Sequence, residues 1–505
     1  MTQTASSSTS SISTACARSS AIWFLARFSG LLVIQAGLAC PLLRFIVLHR
    51  PVPGDKSEMN REPTPLHPLL ARLRDARQTT DALFDIVKPE FLYERPISER
   101  HRIVFYIGHL EAFDRNLFDQ RLFDLPSPNP EFDQLFAFGI DPVDGGLPSD
   151  QPRDWPSLDT IRAYVQQIRD DIDARFDPAE ITKREDKRDN PSALEATPET
   201  LLEVAIEHRL MHAETLAYML HQLPLHQKTG PAVTEDAAEH PLDSGIAREM
   251  VHVPAGRTTL GLARDSGTFG WDNEFGEQGV DVPAFEMDRY MVTNSDWLDF
   301  IEADGYGHRD YWRDGDWAWK EREGIEKPAF WVRDESSAEL KESAKGSGWK
   351  LRTMFAEIPL PADWPVYVSH AEASAYAKWA GKSLPTEAQW QRAAEAAPHA
   401  QQGNFDFRRW EPSSVQAHTE NHSAAGVVGQ FGNGWEWTST TFGPLPGFEP
   451  FPFYLGYSAN FYDDQHYVLK GGSPRTAACM LRPSFRNWFQ AHYQYVYAGF
   501  RCVRG

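Results

Sequence analysis

The sequence predicts an α+β protein with a helical N-terminal body and a C-terminal body of short strands and many loops. Between residues 64 and 225, apolar side chains recur at helical spacing in four long segments. From Glu249 onward, Trp, Gly and Pro become frequent and the strand-like pieces are short. The chain has 505 residues, 41% of them apolar, which is enough to form two large packed bodies.

The N-terminal body is expected to be a four-helix bundle over residues 64–225, because four helices of such length favour antiparallel packing. The last helix starts at Thr197, an N-cap residue, followed by Pro198 at the first helical position. The Pro-rich stretch 126–156 predicts a long loop. The four predicted helices lie within residues 65–87, 99–123, 158–176 and 197–223.

Residues 226–247 are predicted to link the bundle to the C-terminal body, which spans residues 248–505. One helix is predicted near residues 370–380, and another near 386–396. The rest of this body is expected to consist of loops and short strands, with no internal repeat. The strand-like pieces are MVHVPAG, MDRYMVT, VYVS and YVLKGGS.

The charge distribution argues against a nucleic-acid-binding protein. The net charge is −21, and the first fifty residues contain four arginines and no acid. The remaining chain therefore carries 46 basic and 71 acidic residues, a net charge of −25. A nucleic-acid binder needs a basic face that displaces counterions from phosphate.

Residues 1–58 are expected to be a disordered leader. It is either an export or targeting segment, a weak membrane anchor, or the result of a start codon placed too far upstream. Its apolar stretch, residues 28–43, is short for a membrane-spanning helix, and the body itself is not expected to enter a membrane. Two of the four cysteines lie in the leader. At most one disulfide could therefore form in the body, which excludes a disulfide scaffold and favours a reducing, cytoplasmic compartment.

Three histidines of the helical body could form a metal site. His208 and His212 are four residues apart and project from one helical face. Glu214 lies about 200° further round the helix and is a poor third ligand. His109 on the second helix is the better candidate, since bundles build metal sites from facing helices. Residue type alone does not separate zinc from iron, and solvated histidines remain an alternative.

Several motifs of the C-terminal body occur in a fixed order: MVHVPAG, LPTEAQW, GNGWEW, GGS and GFRCVR. They resemble the formylglycine-generating-enzyme (sulfatase-modifying factor) domain, which has a C-type-lectin-like fold. The helical body resembles a DinB-type bundle. Three further pieces, GHLEAFDRNL, EHRLMHAETL and RPSFRNW, support a resemblance of the whole combination to the EgtB-like non-haem iron sulfoxide synthases of ergothioneine biosynthesis.

The resemblance implies an Fe(II) centre held by His109, His208 and His212. In this family the iron binds hercynine (Nα-trimethylhistidine) and a thiol, and uses O2 to join them through a new carbon–sulfur bond as a sulfoxide. The small-molecule partners expected for this chain are therefore a hercynine-like betaine, a thiol and O2. The oligomeric state is left open.

The same resemblance implies roles for residues of the C-terminal body. Asn487 and Trp488 match the substrate-binding Asn-Trp of the family. Tyr454 would be the proton donor, and Tyr457 would help to hold hercynine. Arg486 is a candidate anchor for a substrate carboxylate. By contrast, Trp435 and Trp437 are expected to belong to the structural core.

The chain also departs from the family pattern. Met211 precedes the third histidine where some members have Gln, and Phe489 stands where the γ-glutamylcysteine-using branch has Asp. The arginine pair of that branch is reduced to Arg153. The donor is therefore open between cysteine, another thiol and a selenium compound, and histidine in place of hercynine would indicate an ovothiol-type synthase. Cys479 alone follows the GGS turn, so the cysteine pair needed for formylglycine generation is missing.

Two other classes of function compete with the oxygenase. A zinc-dependent DinB-type thiol transferase or isomerase would use the same histidines without O2. A non-catalytic ligand-binding module would use the C-terminal body alone. Metal identity, O2 dependence and the effect of removing the histidines discriminate among the three.

Overall fold

The computed structural model describes residues 67–123, 127–138, 147–176, 196–230, 245–334, 348–398 and 402–505, together with two short strands of the leader. Those strands, β1 (Phe24–Phe28) and β2 (Leu31–Gln35), pair antiparallel. The other expectations for the leader, and most of the predicted linker, fall outside the described residues. Among the described residues, no helix is both long and apolar enough to cross a membrane.

The four predicted helices of the N-terminal body are confirmed. Thr197 caps the last of them by accepting a hydrogen bond from the backbone N–H of Thr200 at 3.0 Å, and Ser157 caps the third in the same way. Apolar side chains from all four helices contribute to one core. The helices are α1 (Pro68–Phe84), α2 (Ile103–Phe118), α4 (Leu158–Arg175) and α5 (Pro198–Gln222).

A fifth helix, α3 (Pro130–Phe138), lies inside the stretch that was predicted to be a loop. The Asn129 side chain accepts from the backbone N–H of Phe132 at 3.1 Å, and Pro130 occupies the first helical position. The prediction of an uninterrupted loop over 126–156 is therefore wrong. The Asn129-Pro130 start has the same N-cap and proline signature as Thr197-Pro198, and the surrounding prolines concealed it.

The C-terminal body is built from short strands, as predicted. Its central sheet has the order β12-β11-β10-β13, antiparallel except for the β10–β13 pair. Trp435 and Trp437 of β10 are buried in its core, as expected. The strands of this sheet are β10 (Gly434–Thr441), β11 (His466–Gly472), β12 (Asn487–Gln490) and β13 (Ala498–Gly499).

The remaining strands form three smaller groups. A three-stranded sheet has the order β14-β6-β3, β4 pairs with β5, and another sheet has the order β7-β8-β9. Their bounds are β3 (Met250–Val253), β4 (Gly256–Leu260), β5 (Gln278–Val282), β6 (Phe285–Asp288), β7 (Trp331–Arg333), β8 (Trp349–Arg352), β9 (Glu357–Pro359) and β14 (Val503–Arg504).

The structure corrects three predictions for this body. Of the MDRYMVT segment, only Met287 and Asp288 lie in a strand, β6. The VYVS segment is buried and extended but is not a strand, because its N–H groups donate to single carbonyls of different neighbours, as from Val366 to Val292 and from Val368 to Ala498. Two helices beyond the predicted pair are also present. The four helices are α6 (Asn294–Glu302), α7 (Asp314–Glu323), α8 (His370–Trp379) and α9 (Glu387–Ala393).

A buried charge cluster joins the helices of the N-terminal body. Arg209 of α5 donates to Glu111 at 2.9 Å and to Asp114 at 2.8 Å, both on α2. Arg169 of α4 donates to the other oxygen of Glu111 at 2.8 Å. Burial alone would raise the pKa of Glu111, but the nearby arginines, Arg209 foremost, lower it below its usual value. These pairs hold α2 and α5 in one register.

We expect Arg209→Met to destabilise the protein by about 3–5 kcal/mol, because it leaves the buried Asp114 carboxylate without its cation and removes one of the cations that pair with Glu111. Arg72→Met is the matched control. Arg72 also pairs with a carboxylate, Glu203 at 2.6 Å, but its side chain is 39% exposed, so its loss should change stability by no more than about 1 kcal/mol. Urea unfolding followed by circular dichroism gives the free energy of unfolding of both variants. Equal losses of stability would contradict the claim that the buried cluster holds α2 and α5 in register.

Candidate metal centre

The structure brings the three predicted histidines together. His109 lies on α2, and His208 and His212 lie one turn apart on α5. One ring nitrogen from each falls within a group whose members all lie within 4.8 Å of one another. The ring centroids are separated by 5.5 Å (His109–His208), 4.9 Å (His109–His212) and 4.5 Å (His208–His212). Two adjacent helices thus present three imidazoles to one point.

Helix α3 orients the first of these histidines. The Nδ1 of His109 lies 2.7 Å from the carbonyl oxygen of Phe136, so this nitrogen carries the proton and donates it. The Nε2 lone pair of His109 is then available to a metal. Gly108 permits this arrangement, because a Cβ at that position would lie 2.5 Å from the ring of Phe136. The glycine beside the histidine therefore lets α3 approach α2 closely.

The histidines fit a transition-metal site. The Nδ1 atoms of His208 and His212 are buried, and neither has a hydrogen-bond partner among the described residues. Burial lowers the pKa of His109 to about 4, and it lowers the pKa values of His208 and His212 well below their ordinary value. All three imidazoles are therefore neutral at pH 7, the form that binds Zn, Fe or Cu. Three neutral ligands on one side would leave the opposite positions open.

Aromatic rings enclose the histidines. Phe113 stacks on His208 with a centroid distance of 3.5 Å, and Phe105 stacks on His109 at 4.8 Å. Tyr454 of the C-terminal body meets His208 edge-on at 6.1 Å. Its hydroxyl has no hydrogen-bond partner among the described residues, and burial, with the nearby Asp272 carboxylate, raises its pKa to about 12. A protonated phenol thus stands beside the histidines.

Helix α5 also binds the C-terminal body directly. Glu214 accepts hydrogen bonds from Trp435 at 2.8 Å, from Ser473 at 2.5 Å and from Thr476 at 2.8 Å. Two turns earlier on the same face of the helix, Glu207 accepts from Trp271 at 2.8 Å and from Arg482. Glu214 therefore lies outside the group of three histidines. Its role is to hold the helix that carries two of the histidines against the second body.

A cavity of about 230 Å³ lies between α5 and the C-terminal body. Three predicted substrate residues line it: Asn487, Trp488 and Tyr457. The ring of Tyr457 stacks on Trp271 at 4.0 Å, meets Trp488 edge-on at 5.3 Å and lies 5.7 Å from the ring of Tyr454. The two tyrosines therefore connect the cavity to the histidines.

Both bodies of the chain are similar to known proteins. A model described as the sulfatase-modifying factor enzyme 1-like domain matches residues 236–505, and a DinB superfamily model matches residues 72–216. Hercynine oxygenases of Mycolicibacterium thermoresistibile and Mycolicibacterium smegmatis are 35% and 34% identical; each match covers 59% of this chain, and the matches cover 67% and 70% of those proteins. The chain belongs to the EgtB-like family.

A more distant EgtB-like relative matches a larger share of the chain. Ergothioneine biosynthesis protein 1 of Neurospora crassa is 26% identical over 82% of this chain, but the match spans only 55% of the fungal protein. The chain thus corresponds to about half of that longer relative. Both predicted bodies are represented in the family models, which confirms the fold class.

Two positions where this EgtB-like chain departs from the family pattern lie at the cavity. Met211 places its sulfur 3.6 Å from the Tyr457 hydroxyl, and Phe489 stacks on Tyr493 at 5.0 Å. Both residues line the cavity. At these two positions the cavity wall of this chain is therefore apolar.

The structure does not bring Arg486 into the cavity, which corrects the expectation that it anchors substrate. Its buried guanidinium donates to Glu387 at 2.8 Å and to the carbonyl of Gly443 at 2.9 Å. A buried arginine needs such partners, and a substrate would have to displace them. Another arginine, Arg100, does line the cavity. Neither its sequence position nor a family motif pointed to it.

The two cysteines of the body are free and lack the character of activated thiols. Cys502 is fully buried, and Cys479 is partly buried. Burial raises the pKa of Cys479 to about 12 and that of Cys502 well above its ordinary value. A thiol that reacts at neutral pH needs a lowered pKa instead.

We expect the purified protein to bind about one divalent transition metal ion per chain and His212→Ala to lose most of it, because two imidazoles remain where three are needed. His226→Ala is the matched control, since His226 is exposed near the end of the same helix and lies outside the group. Elemental analysis after anaerobic loading gives the stoichiometry. Full occupancy in His212→Ala would contradict the ligand assignment.

Proposed function

We propose that the protein is an Fe(II)- and O2-dependent sulfoxide synthase that joins a thiol to the imidazole of hercynine. The observation that carries this proposal is the position of three neutral histidines next to a cavity to which both bodies contribute. The names of the relatives, hercynine oxygenase and ergothioneine biosynthesis protein 1, agree with it.

His109, His208 and His212 would hold the metal. An iron ion bound there would supply the activation of O2. The chain supplies neutral ligands, so the site keeps enough positive charge to attract a thiolate. The stacked rings of Phe105 and Phe113 exclude water from one side, which limits side reactions.

The cavity wall suits a trimethylammonium betaine. Trp488 and Tyr457 present two ring systems nearly perpendicular to each other, at 81°. Each cation–π contact with a quaternary ammonium is worth roughly 0.5–2 kcal/mol. The side-chain oxygen Oδ1 of Asn487 accepts a hydrogen bond from the backbone N–H of Trp488 at 2.9 Å. The side-chain NH2 group of Asn487 is then left to donate to a ligand. These residues would orient the imidazole of hercynine towards the histidines.

Tyr454 would donate the proton that the reaction requires. Its pKa of about 12 keeps the hydroxyl protonated at neutral pH. The phenol therefore holds a proton that it can donate. It lies against both His208 and Phe113, with centroid distances of 6.1 Å and 5.2 Å. A proton could therefore be delivered beside the metal ligands and away from bulk water.

Mass spectrometry of the products tests the proposed reaction. The Fe(II)-loaded protein is given O2, hercynine and either cysteine, γ-glutamylcysteine or a selenium donor. We expect a hercynine–thiol sulfoxide with one donor and no product without O2. O2 uptake with only a disulfide as product, for every donor tried, would contradict the proposal, as would turnover of a zinc-loaded protein in the absence of O2.

Tyr454→Phe should slow sulfoxide formation by about 10²-fold or more, because it removes the proton donor, while the dissociation constant of hercynine stays unchanged. Tyr462→Phe is the control, since Tyr462 packs on Phe442 and Phe448 away from the histidines. Single-turnover rates and the ratio of sulfoxide to disulfide are measured for both. A wild-type rate and product ratio in Tyr454→Phe would make this tyrosine a packing residue.

A further inference from the structure

Arg100 places a positive charge in the wall of the cavity. It precedes helix α2 and lies nine residues before His109. Its guanidinium lies 5.2 Å from the ring of Tyr493 and 5.8 Å from the ring of Tyr218, and its Nε donates to the Tyr493 hydroxyl at 3.1 Å. Tyr218 and Phe489 line the cavity beside it.

This arginine has no carboxylate partner within 4.0 Å among the described residues. Two other arginines differ in this respect: Arg482 pairs with Glu207 and Glu274, and Arg486, the anchor expected from the sequence, pairs with Glu387. A tyrosine hydroxyl and two aromatic faces are weaker partners for a guanidinium than a carboxylate. The cation of Arg100 is therefore held in position but not neutralised.

Neither Glu214 nor His466, which also line the cavity, pairs with Arg100. Glu214 accepts from three donors of the C-terminal body, and His466 contacts Asp463 at 2.9 Å. Phe489 occupies the wall beside Arg100 and stacks on the same Tyr493 that binds it. An anion that enters the cavity would thus meet one guanidinium without a carboxylate partner, in a wall that otherwise combines aromatic, aliphatic and polar side chains.

We propose that Arg100 binds the carboxylate of a substrate in this cavity and is a residue that determines substrate specificity. The proposal rests on the proposed function for the identity of the substrates. Two compounds of that reaction could supply the carboxylate: the betaine acceptor and an amino-acid thiol. Guanidinium and carboxylate match in a two-bond fork, so compounds that lack the carboxylate should bind more weakly.

The test compares each substrate with its decarboxylated partner. Isothermal titration calorimetry of the anaerobic Fe(II)-loaded protein gives dissociation constants for cysteine against cysteamine and for hercynine against N,N,N-trimethylhistamine. We expect the wild type to prefer one carboxylate compound by about 10- to 100-fold, the range of hydrogen bonds to charged groups. Arg100→Gln should abolish that preference. This binding test does not require turnover. Failure of the carboxylate proposal can therefore be distinguished from failure of the proposed reaction, which the product analysis tests.

Arg313→Gln is the matched control. Arg313 also lies over a tyrosine ring, 5.3 Å from Tyr467, and donates to its hydroxyl at 2.7 Å, but it does not line the cavity. It should keep the wild-type preference. The compound pair that loses its preference in Arg100→Gln identifies which carboxylate is bound.

Arg100→Lys guards against misfolding of the Gln variant. It keeps the charge without the planar fork, and we expect it to bind the carboxylate compound more weakly than wild type but still better than its decarboxylated partner. The proposal is overturned if wild type shows no preference in either pair, or if Arg100→Gln folds and keeps every preference at its wild-type size.

Discussion

The ion pairs that Arg209 makes with Glu111 and Asp114 determine how helix α2 lies against α5, and the candidate site depends on that register. Arg209 directly follows His208, and Glu111 lies two residues after His109. The same two helices therefore present charges on one side and imidazoles on the other. Because a buried carboxylate without its cation is costly, the helices have little freedom to slide, and the three ring nitrogens stay close together.

Helix α5 packs against both bodies. As a result, the histidine cluster lies near a cavity that α5 and the C-terminal body form together. Glu207 and Glu214 bind donors of the C-terminal body, His208 and His212 face α2, and Met211 faces the cavity. Neither body alone encloses this space. The arrangement explains why the helical bundle and the second domain occur in one chain.

The sequence was most informative where periodicity or a dense motif carried the signal. The four long helices and the pairing of His208 with His212 follow from helical spacing, and Trp435 and Trp437 are buried as the motif suggested. Helix α3 was missed because the prolines around it outweighed its N-terminal signature. The hydrogen bond from His109 to the carbonyl of Phe136, which depends on this helix, could therefore not be predicted either.

Contacts between distant parts of the chain were not accessible from local patterns. Arg100 meets a tyrosine 393 residues away, and nothing near Arg100 in the sequence marks it as a cavity residue. Arg486 shows the opposite case. It lies beside the Asn-Trp motif, yet it turns to Glu387, because a buried guanidinium binds the nearest buried carboxylate. Proximity in sequence to a motif does not determine where a long side chain ends.

The central claim is that the three histidines and the cavity act as one site. X-ray absorption at the iron edge tests it on the anaerobic Fe(II)-loaded protein, before and after addition of hercynine and cysteine. The account predicts scattering from three imidazoles before addition and a new sulfur scatterer at the iron afterwards. An iron environment without imidazole scattering, or one that both substrates leave unchanged, would contradict the claim.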